Sequence, residues 1–241
     1  MHLYVVDLGL TPYDVAWALQ KRARAARISG ALDQDLLILV QHPPVVTLGR
    51  STKPGNLLVT PEYLASRGIA LHDVERGGDV TIHEPGQLVA YPIIDLKRHT
   101  PDLHWYLRQV EESVIRALGT FGLACTRVAG LTGVWRDDPE AGRCKLASIG
   151  VHAKDWVTSH GLALNVENDL STFAHVVPCG LDQVTMTTVS RACARGSWNT
   201  WTGGQPTCCR VPRDGVCTTT GPRWKQARRG SRGPGRAGRS G

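Results

Sequence analysis

Residues 75–96 read ERGGDVTIHEPGQLVAYPIIDL, a run whose residue types and spacing suit a small-molecule site better than ordinary core. Arg76 brings a charge. Gly77 and Gly78 let the backbone take positive φ and approach a ligand with no Cβ in the way. Residues 79–83 alternate as a strand does and end on His83. Glu84, Pro85 and Gly86 signal a hairpin or sharp turn, and residues 87–96 resume as a strand rich in Val, Ile and Tyr. The competing reading is a β-hairpin whose glycines serve geometry alone, and an isolated Gly-Gly would favour it. Gly-Gly followed by His and then Pro-Gly-Gln is a much less common string.

The elements that must position this stretch are legible on either side. A strand is expected over residues 2–8. A helix is expected over 12–27, with Thr11 as N-cap, Pro12 at the first helical position and Gly30 soon after its end. Residues 36–41 form an apolar run of strand length. Thr60-Pro61 opens a short helix that Gly68 closes, before a strand over 69–74. Leu103, Leu107, Val110, Val114 and Leu118 make one apolar stripe on a helix over 102–118 that should lie on a sheet. Further β-rich runs follow at 133–135, 146–152 and 157–166, with a short helix near 170–174. No internal repeat is evident. Strands outnumber dispersed helices, which points to mixed α/β or α+β architecture.

With 241 residues and 41% hydrophobic content, the chain suffices for one domain with a sizeable core. Its net charge of +7 is unevenly spread: residues 1–195 sum to −1 and residues 196–241 to +8. A nucleic-acid role for the globular part is therefore not expected. The seven cysteines, at 125, 144, 179, 193, 208, 209 and 217, are odd in number and include no C-x-x-C pair, which argues against a disulfide framework or a common zinc site. No segment approaches the roughly 18 apolar residues of a membrane span, and no secretory leader is apparent at the start. The expectation is a soluble cytoplasmic protein.

The pattern R-G-G-x-V-T-x-H-x-P-G-Q-L-V-x-Y-P-I-x-D-L resembles the lipoyl(octanoyl) transferase family, whose enzymes move an octanoyl group from acyl carrier protein to a lysine of a lipoyl domain. The resemblance continues through HPPVVTLGR (42–50), GVW (133–135), KLASIGVH (145–152), WVTSHGLALNV (156–166), DLSTFAHVVPCGL (169–181) and VTMTTVSR (184–191), and covers most of residues 1–195. It implies a biotin/lipoate protein ligase-like fold, with mixed, largely antiparallel sheets flanked by helices. It also implies transfer of an octanoyl or lipoyl group through a cysteine thioester, with no cofactor. The implied donor is octanoyl-acyl carrier protein, and the implied acceptors are lipoyl domains of 2-oxoacid dehydrogenases and the glycine cleavage H protein. A monomer is expected.

Acyl transfer from a thioester to an amine needs a nucleophile, a base and donors for the oxyanion. Cys179, between Pro178 and Gly180, is the candidate nucleophile, and a buried structural cysteine is the alternative that the resemblance disfavours. Lys145 is its candidate partner. Lowering a thiol from about 8.5 to about 7 takes roughly 2 kcal/mol, which a neighbouring ammonium supplies. For Lys145 alone a surface position would be the commoner case, but Leu146, Ala147, Ile149 and Val151 make a core strand directly after it. By resemblance the acyl substrate lies along Arg76, Gly77, Gly78, Asp79, Val80, Thr81, Ile82 and His83, along Ser148, Ile149 and Gly150, and along Gly161, Leu162 and Ala163. The small residues among these are read as room for an aliphatic chain. His83 and His160 could orient the site or assist proton transfer; His42 and His175 are weaker candidates. The family carries glycine where this chain has Glu84, so a positive φ there would strain the backbone by roughly 1 kcal/mol and set a carboxylate beside the acyl channel. No role attaches to Cys144.

The last 46 residues contain ten glycines and four prolines and no Leu, Ile, Met or Phe, so disorder is expected. The resemblance stops near residues 191–195, which favours translation in a shifted frame over the readings as a solvated tail or a nucleic-acid-binding tail. The rival functions are an ATP-dependent lipoate or biotin ligase of the same fold, a lipoyl transferase using the same kind of cysteine, and a noncatalytic RNA-binding protein.

Overall fold

The computed structural model describes residues 3–177 and 184–195. The chain divides into two units, residues 1–197 and 198–241; the expectations for residues 196–241 lie outside the described residues.

The first unit is built on a large sheet of β1 (Leu3–Leu10), β2 (Asp35–Gln41), β6 (Gln87–Ile93), β10 (Val157–Asn165), β9 (Gly142–Lys154), β8 (Leu131–Asp138) and β7 (Thr126–Val128) in that spatial order, with β11 (Thr185–Met186) beside β9. β1–β2 and β9–β11 are parallel and the other pairs antiparallel. A smaller sheet joins β4 (Ala70–Asp73), β3 (Val45–Leu48) and β5 (Thr81–His83). The mixed, mostly antiparallel architecture with flanking helices is the class expected.

α1 (Tyr13–Ser29) buries Tyr13, Ala16, Gln20, Ala23 and Arg27, spaced three or four apart, against β2, β6 and β10. Its N-cap is Pro12, and the Thr11 hydroxyl donates to Leu8 O, so the capping role expected of Thr11 is not taken up. α2 (Pro61–Ser66) does start as expected, with the Thr60 hydroxyl accepting from Tyr63 N. α3 (Leu103–Gly119) is capped by Asp102, which accepts from His104 N and Trp105 N. Val110, Val114 and Leu118 of its stripe are buried, whereas Leu103 at the first position of the helix is exposed. α4 (Val189–Arg195) adds Ala192 to the core beneath α3. Among the described residues no helix is long and apolar enough to cross a membrane.

The stretch 75–96 is no hairpin. β5 pairs with β3 in the small sheet, while β6 lies between β2 and β10 in the large one. The turn at residues 84–86 carries the chain from one sheet to the other, so a loop and a strand of the small sheet come to lie over the large sheet.

Candidate active site

Lys145, near the start of β9, is 1% exposed and is not a surface lysine. Plain alternation along the strand would put it on the face of Ala147 and Ile149. The β8–β9 register slips instead: Trp135 pairs with Lys145 while Val134 pairs with Ala147, which leaves an extra residue on β9. Leu146 and Ala147 both enter the core beneath α3, and Lys145 turns to the opposite face, with Nζ 5.1 Å from the centroid of the Trp135 ring. Gly133 makes this possible. A Cβ there would stand 2.6 Å from Lys145 Cε, and its φ of 135° is open to glycine almost alone. Gly133 N–H donates to Glu111 Oε1 at 3.0 Å. Glu111, 0% exposed, is held from the other side by Arg108 at 2.6 Å and Arg127 at 3.3 Å.

β11 takes the edge of β9 that β10 has left, pairing Met186 with Lys145, and Thr187 N donates to Lys145 O at 3.0 Å. Upstream, Val177 N donates to Asn56 O at 2.8 Å, and the Asn56 side chain bonds to the Asp79 carboxylate. Residues 178–183, and with them Cys179, lie outside the described residues. Their two described flanks are anchored at Lys145 and at Asp79.

The floor of the cleft is made by Ser148 and Gly150 of β9, which stand opposite Ala163 and Gly161 of β10. The roof is the segment 76–81, fastened down where Gly77 N donates to Val151 O at 2.8 Å. Arg76 is buried within the roof and donates to Thr47 O at 2.7 Å, to Thr47 Oγ1 and to Gly77 O at 3.2 Å. Together they bound about 480 Å³ of space, solvent-filled mouth included. The substrate residues named from the sequence line it, apart from Gly77 and Ile82, and Tyr13, Tyr91 and His160 line it as well. Ile82 is instead core of the small sheet. The glycines do a different job from the one expected. At Gly150 the space of a Cβ is taken by Gly77 O, 2.7 Å away, and at Gly161 by Ala90 O, 2.2 Å away. Both admit neighbouring backbone. Of Gly77 and Gly78, only Gly78 takes positive φ.

Two histidines, His83 and His160, line the cleft and a third, His42, packs against His83; all three are neutral bases. His83 Nδ1–H donates to Gln87 Oε1 at 2.8 Å, and burial, helped by His42, drives its pKa down to about 3. Gln87 Nε2 donates to Asn165 Oδ1 at 2.9 Å, and Asn165 Nδ2 to Thr187 O at 3.3 Å, so a chain of hydrogen bonds runs from His83 to the segment paired with Lys145. His42 Nδ1–H donates to Thr11 O and its Nε2 accepts from the Tyr91 hydroxyl, both carried by an imidazole that burial keeps neutral. Burial also lowers His160 to about 4, against the pull of the Glu75 carboxylate.

Glu84 has no positive φ and does not line the cleft. Its carboxylate is buried against Asn168 Nδ2 at 2.8 Å, so neither the strain nor the channel charge expected of it is present. Cys144 points its thiol at Gly142 O, away from the cleft lining, and Cys125 is a free thiol. His175 packs its ring against Tyr63 outside the cleft lining. Among the described residues no group of three or more His, Cys, Asp or Glu is gathered to hold a metal. Tyr13, Tyr91 and Glu111 were not singled out from the sequence. The periodic burial of α1 marks Tyr13 only as a core residue, and a lone Glu in a helix carries no local sign of burial.

Residues 12–200 match the family model of the lipoyl protein ligase A/B catalytic domain. The chain is 48% identical to the octanoyltransferase of Gloeobacter violaceus over 177 residues, covering 73% of this chain and 75% of that one. It is 47% identical to the octanoyltransferase of Chloroflexus aurantiacus over 189 residues, covering 78% and 83%. Among solved structures it is similar in fold to a lipoate-protein ligase A bound with ATP, with a TM-score of 0.60, 19% identity, and coverage of 79% of this chain and 77% of that one. A bi-partite lipoate protein ligase of Thermoplasma acidophilum gives 0.54, 20%, 73% and 65%.

Proposed function

The chain belongs to the octanoyltransferase family, and from that premise we propose that it carries octanoyl from acyl carrier protein to a lysine of a lipoyl domain by way of a thioester on Cys179. The Lys145 amine takes the thiol proton, and the thiolate attacks the carbonyl carbon of the donor thioester. The tetrahedral adduct collapses with loss of the carrier thiolate, which leaves with the proton held by Lys145. The acceptor amine then attacks the Cys179 thioester while Lys145 takes a proton from its nitrogen. An amide forms, the carbon–sulfur bond breaks, and the Cys179 thiolate recovers its proton from Lys145. The acyl chain rests meanwhile in the cleft beside Ser148 and Ala163.

The observation that carries this reading is the bulge in β9. It buries an amine on the cleft side of a core strand, where an ordinary strand would hold an apolar residue. The chain after segment 178–183 supports the reading as well, since Met186, seven residues beyond Cys179, pairs with Lys145. The similarity to ATP-bound ligases is one of fold, and nothing in the proposed steps consumes a nucleotide.

Intact mass after incubation with octanoyl-acyl carrier protein tests the proposal. The parent should gain one octanoyl group, released by hydroxylamine, and Cys179→Ser should form no thioester. Lys145→Met should lower transfer by about 10²–10⁴-fold, the range for losing a general base. Unchanged alkylation of Cys179 across pH in that variant would remove Lys145 from its role.

A further inference from the structure

One group in the cleft has no place in those steps. His160 is 2% exposed and lines the cleft, and neither of its ring nitrogens has a hydrogen-bond partner among the described residues. Its Nε2 stands 3.7 Å from Glu75 Oε2, beyond hydrogen-bond length. Its backbone φ is +56°, a conformation uncommon for residues other than glycine, and it is held there by Gln20 Oε1, which accepts from His160 N at 2.8 Å. Arg24 steadies the surroundings, bonding to Ser159 Oγ at 2.7 Å and standing 3.6 Å from Glu75.

Register gives its depth. His160 pairs with Val151, three residues along β9 from Ser148, or about 10 Å at the usual rise of 3.3 Å per residue. A zigzag eight-carbon chain with bonds of about 1.5 Å is also roughly 9–10 Å long. The floor from Ser148 to the level of His160 is therefore about as long as an eight-carbon chain, and it ends where the roof closes onto it through Gly77 and Val151.

We propose that His160, backed by Glu75, is the end wall of the acyl channel and sets the length of chain the enzyme accepts. The inference rests on the acyl-channel reading above and deepens it. A longer chain meets an imidazole and a carboxylate that need polar company, and pressing methylenes on them removes what solvation they have. Length is thus read by size and by polarity together.

The test compares octanoyl-, decanoyl- and dodecanoyl-acyl carrier proteins in competition, with the parent, His160→Ala and His160→Asn; asparagine is shorter but at home at positive φ. Both variants should raise the decanoyl-to-octanoyl ratio of kcat/KM at least tenfold. A ratio within twofold of the parent in a variant that keeps the parent's cooperative melting would overturn the proposal. The second measurement needs no transfer: melting of Cys179→Ser, with and without each His160 change, in octanoate, decanoate and dodecanoate. If none of the acids stabilises Cys179→Ser, the acyl-channel reading itself fails. If they stabilise it and the His160 changes leave the preferred length untouched, the end wall fails alone.

Discussion

The two ends of the cleft are held in place by different means. At the Lys145 end, a chain of hydrogen bonds runs from His83 through Gln87, Asn165 and Thr187 to the Lys145 backbone, and Glu111 separately holds Gly133, which packs against the lysine stem. At the His160 end, packing, a strained backbone and backbone contacts through Gly77 and Gln20 fix the geometry, and the two ring nitrogens of His160 are left without hydrogen bonds. The difference separates two tasks. Proton transfer is sensitive to sub-ångström placement, which directed bonds supply, whereas a length limit needs only a surface that does not move. Changes at the first end should therefore alter rate, and changes at the second should alter choice of substrate.

The largest break in that comparison is Gly133→Ala. Its Cβ would press within 2.6 Å of Lys145 Cε at a φ that alanine rarely adopts. We expect kcat to fall by about 10²-fold or more, the scale of a misplaced catalytic group, with the decanoyl-to-octanoyl ratio unchanged. A shift in that ratio would show that the two ends are not separable.

Next is the pH dependence of folding. His83 and His160 are neutral in the folded protein, lowered to about 3 and about 4, while in the unfolded chain they titrate near 6.5. Between those values the unfolded state binds more protons, so this contribution is complete above about pH 6.5 and is lost as pH falls toward 4. The slope is at most about 1.4 kcal/mol per pH step for each histidine. His83→Gln should flatten the acid limb of melting temperature against pH; an unaltered limb would mean that His83 is already protonated in the folded state.

Smallest is Glu111→Gln. The amide can still accept from Gly133 N but loses its charge opposite two partly exposed arginines, so stability should drop by only about 1 kcal/mol. A loss of transfer as large as that of Lys145→Met would instead make Glu111 electrostatically essential to the amine.

What could be read from the sequence was local. The stripe of α3, the Thr60-Pro61 helix start and the strand runs each carry their period and punctuation within a few residues, and they appear where expected. Most of the lining belongs to the motifs that carry the family resemblance, yet its arrangement is not legible in them. Whether residues 75–96 fold as a hairpin or cross between sheets depends on β3 and β10, which lie far away in sequence. Tyr13 reaches the cleft because α1 runs along β10, a fact of packing. Glu84 departs from the family pattern, but its side chain found Asn168, a partner 84 positions away.

The bulge in β9 bears on how relatives of this chain should be judged. It turns Lys145 through the sheet by a single surplus residue, Leu146; with that residue deleted, Lys145 and Ala147 become neighbours on an unbulged strand and still face opposite sides, so the amine stays at the cleft and only an apolar side chain beneath α3 is lost. A relative with one position fewer between its lysine and its alanine therefore still presents the amine, and a motif search that insists on this chain's spacing would wrongly discard it.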